Sequence, residues 1–366
     1  MKSVLVHDWL TSSIGGGENV LKEIHKLLPS PIFTLLANQK KLQNSYFQDL
    51  EIHTSFIQNL PFAHTNYRNY LPLFPRAIEG FDLSDFNLIL SSSHCVAKGV
   101  KKREDQLHIC YCHTPVRYAW DLMDHYLSGS SSLKKLLAKH FLKNIRNWDQ
   151  ETSGRVDHFI ANSKFVAGRI KKYYGRDASV IYPPVDTDLF TINETKEEYY
   201  VSTSRLVENK RVDIIIDAFS QMPEKKLLII GEGPEKENLK RRAGKNIEFL
   251  GRQTNEELKK ILSLAKGFVF AAIEDFGIAP VEAMASGTPV IALGVGGALE
   301  TVTEKTGVFF KEQTVPSMIE GIKKFECLEF DPKESRKQAV RFSTDTFQKQ
   351  FQKFVLDKCI EFNLSL

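Results

Sequence analysis

Along this chain, short apolar runs alternate with longer stretches in which apolar residues recur every three or four positions. The runs have the length of strands and the stretches that of helices, the alternation expected of parallel sheets covered by helices. In the first half the pattern predicts strands over 3–6, 32–35, 87–91, 108–112, 158–161 and 179–182. The second half repeats the rhythm, over 199–204, 226–230, 247–250, 267–271, 289–292 and 307–310. The repetition is one of architecture; no short sequence period is present. The boundary falls at Tyr182-Pro183-Pro184-Val185-Asp186, because paired prolines suit neither a helix interior nor a central strand. Two α/β domains follow, 1–183 and 184–346. The last segment, 346–362, reads as a helix with Phe347, Phe351, Phe354, Val355 and Ile360 apolar.

Two segments stand apart. On a helix through 133–148, Leu133, Leu136, Leu137, Phe141, Ile145 and Trp148 share one face, and Lys134, Lys135, Lys139, Lys143 and Arg146 the other. Such a helix packs on its sheet, or lies against a membrane surface or lipid phosphate. The aromatic stretch 62–81, with Tyr67, Tyr70, Phe74 and Arg76, reads either as a loosely structured excursion on the acceptor side or as ordinary packing.

A chain of 366 residues exceeds what one core usually supports, in keeping with two domains. With 49 basic and 45 acidic residues the net charge is +4, too mild to argue for a nucleic-acid partner. Five cysteines, none in a CxxC pair, suit a reducing compartment. Cys110 and Cys112 alternate along a strand and read as small core residues. The N-terminal MKSVLVHDWL is too short and polar for a signal peptide, and no run approaches the roughly 20 apolar residues of a membrane span. The expectation is a cytoplasmic protein, with peripheral attachment to the inner membrane face as the variant.

Five segments carry chemistry. In AAIEDFGIAPVEAMASGTPVIA, Pro280 suits a first helical turn and Gly287 a helix end. Glu274, Asp275, Phe276 and Gly277 therefore fill a strand-to-helix loop, and the helix start beyond offers free N–H groups to a diphosphate. Glu274 can accept from sugar hydroxyls and Glu282 from ribose hydroxyls. In YVSTSRLVENKRVD, Arg205 and Lys210 follow a strand, where cations face the ligand crevice of an open α/β sheet. Two fixed cations can neutralise a leaving diphosphate without a metal. Gly231 and Gly233, in LLIIGEGP, let the backbone approach a ligand closely and are donor-binding candidates; the full GxGxxG of a nicotinamide enzyme is missing. The N-terminal HDWLTSSIGGGE sets Gly15, Gly16 and Gly17 in a loop before a helix starting near Glu18. Finally, His113 in ICYCHTPVRYAW ends a strand, with Pro115 and Arg117 close behind, and is placed to meet a sugar hydroxyl.

Together these segments resemble the family 4 retaining glycosyltransferases, whose GT-B fold sets two Rossmann-like domains facing across a cleft. The most specific element is the E-x7-E of Glu274 and Glu282. HTPxRYxW and EDFGIxPVEAMASGTPVIA are similar to a mannosyltransferase branch of O-antigen and exopolysaccharide assembly. The resemblance implies a donor-binding second domain, an acceptor-side first domain, and a final helix, 347–366, crossing back onto the first. It implies that Arg205 and Lys210 hold the donor diphosphate, Glu274 the donor sugar and Glu282 the ribose. Amides around Phe276, Gly277 and Ile278 would cradle phosphates and sugar. His113 would face the reacting carbon, Gly16 and Gly17 would border the diphosphate, and Arg252 would lie near the base. The implied reaction moves a hexose from GDP-mannose, or from UDP-glucose or UDP-galactose, to a saccharide or lipid-linked acceptor in polysaccharide biosynthesis. The alternatives are a nucleotide-sugar 2-epimerase of the same fold and a non-catalytic nucleotide-sugar binder. Asp186-Thr187-Asp188 is a DxD, but it sits at the domain boundary and reads as a linker or cap. No metal and no cofactor are expected.

Overall fold

The structure is a computed structural model that describes residues 1–11, 15–121 and 132–364, of which 132–140 by their backbone only. It divides into two compact units, Met1–Pro183 with Phe347–Leu366, and Pro184–Thr346.

The first unit is built on seven strands. They are β1 (Ser3–His7), β2 (Ile32–Thr34), β3 (Ile52–Thr54), β4 (Leu88–Ser93), β5 (Leu107–Cys112), β6 (His158–Ala161) and β7 (Ala178–Val180). Their order is β3-β2-β1-β4-β5-β6-β7, and neighbouring strands pair in parallel. Helices cover both faces, so β4 and β5 are buried along their whole length. The edge strand β3 is absent from the sequence pattern; three residues, Ile-His-Thr, are too few to show a period. Cys110 and Cys112 are core residues, and all five cysteines are free.

Two helical segments differ in detail from the sequence reading. Helix Thr344–Glu361 buries Phe347, Phe351, Val355 and Cys359 in one core with Leu5, Leu90, Ile109 and Tyr111. That four-residue spacing leaves Ile360, expected on the apolar face, 62% exposed. Among the described side chains of helix Ser132–Thr152 the buried positions are Leu142, Ile145, Asp149 and Thr152, and Phe141 points outward at 38% exposure. Arg146 is not on an open basic face. Its guanidinium donates to Ala119 O at 2.8 Å and lies 5.0 Å from the Trp120 ring. Asp149 turns inward to a fully buried ion pair with Lys98, at 3.0 Å. The side chains of Leu133, Lys134, Lys135, Leu136, Leu137 and Lys139 lie outside those described. The stretch 62–81 is ordinary packing: short helical turns run from Ala63 to Leu73, and helix Phe74–Glu79 buries Phe74, Ala77 and Ile78 against Val4 and Val6.

The second unit carries β8 (Glu197–Thr203), β9 (Lys226–Ile230), β10 (Ile247–Gly251), β11 (Ala265–Phe270), β12 (Val290–Leu293) and β13 (Gly307–Phe310). The order is β10-β9-β8-β11-β12-β13, again with parallel neighbours. Its core joins Val269 and Ile291 of the sheet to Ile215, Phe219, Met318 and Ile322 of the covering helices. In each sheet the winding direction reverses once, between β1 and β4 and between β8 and β11. Such a point opens a crevice at the strand ends. Among the described residues no helix is long and apolar enough to cross a membrane.

The docking of the last helix gives a stability prediction. Phe351 is 1% exposed, so Phe351→Ala should cost about 3–5 kcal/mol. A urea denaturation midpoint equal to that of the wild type would show that the helix is not held there.

Candidate functional site

Parallel strands carry their following loops to one edge of the sheet. In the second unit, β8 delivers Arg205 and Lys210, β9 delivers Gly231 and Gly233, β10 delivers Arg252, and β11 delivers Glu274. The switch point between β8 and β11 therefore brings Lys210 and Glu274 face to face, and they form an ion pair. Each is 24% exposed, so the pair sits in the mouth of the crevice.

The chain around Lys210 is shaped to hold it there. A 3-10 turn, Glu208–Lys210, ends at Arg211, whose φ of 51° redirects the backbone into helix Val212–Ser220. Arg211 is pinned by Asp213 and by Gln313, each at 3.1 Å. The Gln313 amide in turn donates to Ala271 O at 2.8 Å. Gln313 thus ties the loop of Lys210 to the loop of Glu274 from behind.

The Glu274 loop ends at Gly277, whose φ of 89° starts helix Ile278–Ala285. A side chain would strain that conformation. The helix closes with Gly287 N donating to Met284 O and Thr288 N to Ala283 O, a Schellman arrangement. Its first-turn N–H groups at Ile278 and Ala279 have no partner within the helix. The Phe276 side chain is core, 5.4 Å from Phe342, so only its backbone is placed to meet a ligand. Glu282 makes no hydrogen bond through its carboxylate among the described residues, and burial raises it to about 7. An unpartnered carboxyl on this helix has the chemistry to take up a pair of ligand hydroxyls.

The remaining residues are distributed less simply. Arg205 is exposed and makes no ion pair among the described residues, so Lys210 alone is joined to Glu274. Arg252 is exposed beyond the edge strand β10, two strands from β8, or about 10 Å. Gly231 and Gly233 have a first duty inside the protein. A Cβ on Gly231 would lie 1.8 Å from Ser204 O, and one on Gly233 2.1 Å from Leu206 O. What approaches these glycines is the backbone of the loop after β8, where the sequence reading put a ligand. Gly296 and Gly297 do the same for the Glu274 loop. A Cβ on Gly297 would lie 2.3 Å from Phe276 O, and Gly297 N donates to Glu274 O at 2.9 Å. The adjoining glycines were the visible signal for this support, but nothing in the sequence says which loop they carry.

The first unit presents a second cluster at the ends of β1, β4 and β5. Asp8, fully buried, accepts four backbone N–H groups, from His94, Cys95, Val96 and Ala97, at 2.6–2.9 Å. That satisfies a buried charge and fixes the turn after β4 to the end of β1. His94 Nδ1 lies 3.1 Å from the same carboxylate. His113 follows β5, and its Nε2 lies 2.8 Å from the Ser92 hydroxyl. Burial holds His113 well below the ordinary histidine value of 6.5, and facing His94 and His7 add to the shift. Gly16 and Gly17 are already inside helix Gly16–Leu27, two residues earlier than the sequence suggested, with the Glu18 carboxylate reaching back to accept Gly15 N at 3.0 Å. A Cβ on Gly17 would lie 3.8 Å from the His113 ring. Sequence reasoning passed over Asp8, Ser92 and His94. The signal was polar residues, Ser91 to His94, running on from an apolar strand. Asp188 of the DxD pairs with Arg336 at 3.4 Å. Among the described residues no group of three or more His, Cys, Asp or Glu could hold a metal ion.

Two outcomes follow. Gly297→Ala should destabilise by about 1–3 kcal/mol, because the backbone of Phe276 cannot yield as a side chain would; chemical denaturation reads this. For Glu282 the folded value, about 7, stands above the ordinary 4.5. The contribution of Glu282 to stability is then fullest below pH 4.5 and is lost as pH rises toward 7. Urea midpoints against pH should show this loss in the wild type and not in Glu282→Gln. Parallel curves for the two proteins would contradict it.

Known proteins share this arrangement. The family model for Glycosyltransferase Family 4 matches residues 14–189, and that for Glycosyl transferases group 1 matches residues 186–343. A GDP-mannose-dependent monoacylated alpha-(1-6)-phosphatidylinositol monomannoside mannosyltransferase of Corynebacterium glutamicum is 37% identical over 32% of this chain and 35% of its own. An alpha-1,3/1,6-mannosyltransferase of Rhizomucor pusillus is 24% identical over 61% of this chain and 59% of its own. The chain thus spans from about a third to under two thirds of the length of these curated relatives. Among solved structures, sucrose-phosphate synthase of Thermosynechococcus elongatus superimposes with a TM-score of 0.75, at 17% identity, over 99% of this chain and 100% of that one. HepE of Anabaena, solved with UDP and glucose, gives 0.69 at 18% identity, over 97% and 99%. At these identities the likeness speaks for the fold alone. With two family models end to end over 14–343, and two parallel sheets wound as in solved relatives, the chain belongs to the family 4 glycosyltransferases of GT-B fold.

Proposed function

We propose that the chain transfers a hexose from a nucleoside diphosphate sugar to a hydroxyl of a saccharide or lipid-linked acceptor, with retention of the α configuration. The observation that carries this reading is the Lys210–Glu274 pair at the switch point of the second sheet. One partner suits a diphosphate and the other suits sugar hydroxyls, and a nucleoside diphosphate sugar has both side by side. Glu282 adds a seat for ribose hydroxyls, and the start of helix Ile278–Ala285 adds N–H groups for phosphate oxygens.

In this reaction the bond from the anomeric carbon to the diphosphate oxygen breaks, and charge grows on that oxygen. Lys210, with Arg205 recruited from solvent, offsets the charge without a metal. The acceptor oxygen bonds to the anomeric carbon on the same face that the diphosphate leaves. Its proton passes to the departing phosphate oxygen, which lies on that face. Glu274, engaged by a cation, holds sugar hydroxyls and is not the attacking group. His113, in the first unit, offers a hydrogen bond to a substrate oxygen. The printed activities of the Corynebacterium and Rhizomucor relatives favour mannose, and the former favours GDP-mannose. The setting is polysaccharide assembly at the cytoplasmic side of a membrane.

A thermal-shift panel of GDP, UDP and ADP sugars, followed by turnover with the best binder, tests the reading. GDP-mannose should raise the melting temperature most. Without an acceptor, only slow hydrolysis should appear, and a 2-epimerised sugar would point to an epimerase. Lys210→Ala and Glu274→Ala should each lower kcat roughly 100- to 1,000-fold, with the melting temperature of the free protein retained. Wild-type turnover in both variants, or no nucleotide sugar bound, would overturn the assignment.

A further inference from the structure

Ser92 lies between two histidines, and its hydrogen bonds decide where their protons sit. His7 Nδ1 is 3.1 Å from the Ser92 carbonyl oxygen and 3.2 Å from the Ser92 hydroxyl. The same hydroxyl is 2.8 Å from His113 Nε2. A carbonyl oxygen only accepts, so the first contact requires a proton on His7 Nδ1. Burial lowers His7 as it lowers His113, so both rings are neutral and each carries one proton. His7 Nε2 is then bare, and it is a buried atom without a hydrogen-bond partner among the described residues. With Nδ1 already a donor, His7 cannot receive the Ser92 proton. That proton goes to His113 Nε2. His113 must therefore keep its own proton on Nδ1.

The opposite assignment is worse on each count. It sets two lone pairs against each other between His7 Nδ1 and the Ser92 carbonyl. It also leaves a protonated His7 Nε2 in a residue of zero exposure with no acceptor among the described residues. A buried donor left without an acceptor costs more than a bare lone pair, so the first assignment prevails.

We propose that Ser92, backed by His7, is a positioning residue that locks His113 in its Nδ1–H form, so that His113 serves the reaction as a hydrogen-bond donor and not as a base. This rests on the proposed transfer only for the role of His113; the proton arrangement belongs to the protein alone. The relay gives a task to one of the three buried serines that end this strand, Ser92, which is 1% exposed.

The experiment is long-range proton–nitrogen correlation NMR on the 15N-labelled full chain, with His113→Asn used to assign the ring. His113 should show a protonated Nδ1 and a bare Nε2. Ser92→Ala should shift His113 toward the Nε2–H form, and Ser92→Thr, which keeps the hydroxyl, should retain the wild-type pattern. A protonated His113 Nε2 in the wild type overturns the proposal, as does an unchanged ring in Ser92→Ala. The wild-type spectrum decides even where the alanine variant does not fold. No substrate is needed, so this outcome stands apart from the success of the transfer assay. With the donor sugar in hand, Ser92→Ala should lower kcat roughly tenfold, about the worth of one hydrogen bond, and leave the donor KM near its wild-type value. A loss confined to KM would mean that Ser92 only shapes the pocket.

Discussion

Everything of chemical interest in this protein depends on the parallel pairing of its strands. A parallel sheet gives all its carboxyl ends to one edge, and the reversal of strand order opens a crevice there. Lys210 and Glu274 are 64 residues apart in sequence, yet they pair because β8 and β11 are neighbours at that reversal. Neither residue needs a local motif to find the other. The same rule collects His7, Asp8, Ser92, His94 and His113 at the edge of the first sheet.

The two edges are held by different means. In the second unit loops are braced backbone to backbone, through glycines that leave no side chain between them, and by Gln313 bridging from behind. In the first unit the bracing is polar and buried. Asp8 gathers four amides, and Lys98 meets Asp149 out of reach of water. Buried polar networks of this kind fix geometry when every member is satisfied. Among the described residues His7 Nε2 is one of several buried atoms without a hydrogen-bond partner, and it sits beside the ring that would meet substrate.

Much of this was legible in the sequence. The strand rhythm gave twelve of the thirteen strands, since buried parallel strands read as continuous apolar runs. The helix boundaries at Gly277, Pro280 and Gly287 were readable because each has its own backbone requirement. Strand β3 was hidden by its length, and the turns from Ala63 to Leu73 by their tight, irregular winding. The inward turn of Asp149 and Arg146 was hidden because helical periodicity counts charge as surface, while a buried partner such as Lys98 lies 51 residues away. The glycines at 231 and 233 were seen, but their neighbour was a carbonyl of the adjoining loop, which no local pattern announces.

The glycine–carbonyl contacts under the second crevice set what this scaffold can and cannot alter. A floor made of main chain has no rotamers to adjust, so any added methyl at Gly231, Gly233, Gly296 or Gly297 must shift a whole loop. The side chains standing on that floor, such as exposed Arg205 and Arg252, carry no such constraint. New ligand preferences can be written into those side chains while the platform beneath stays fixed.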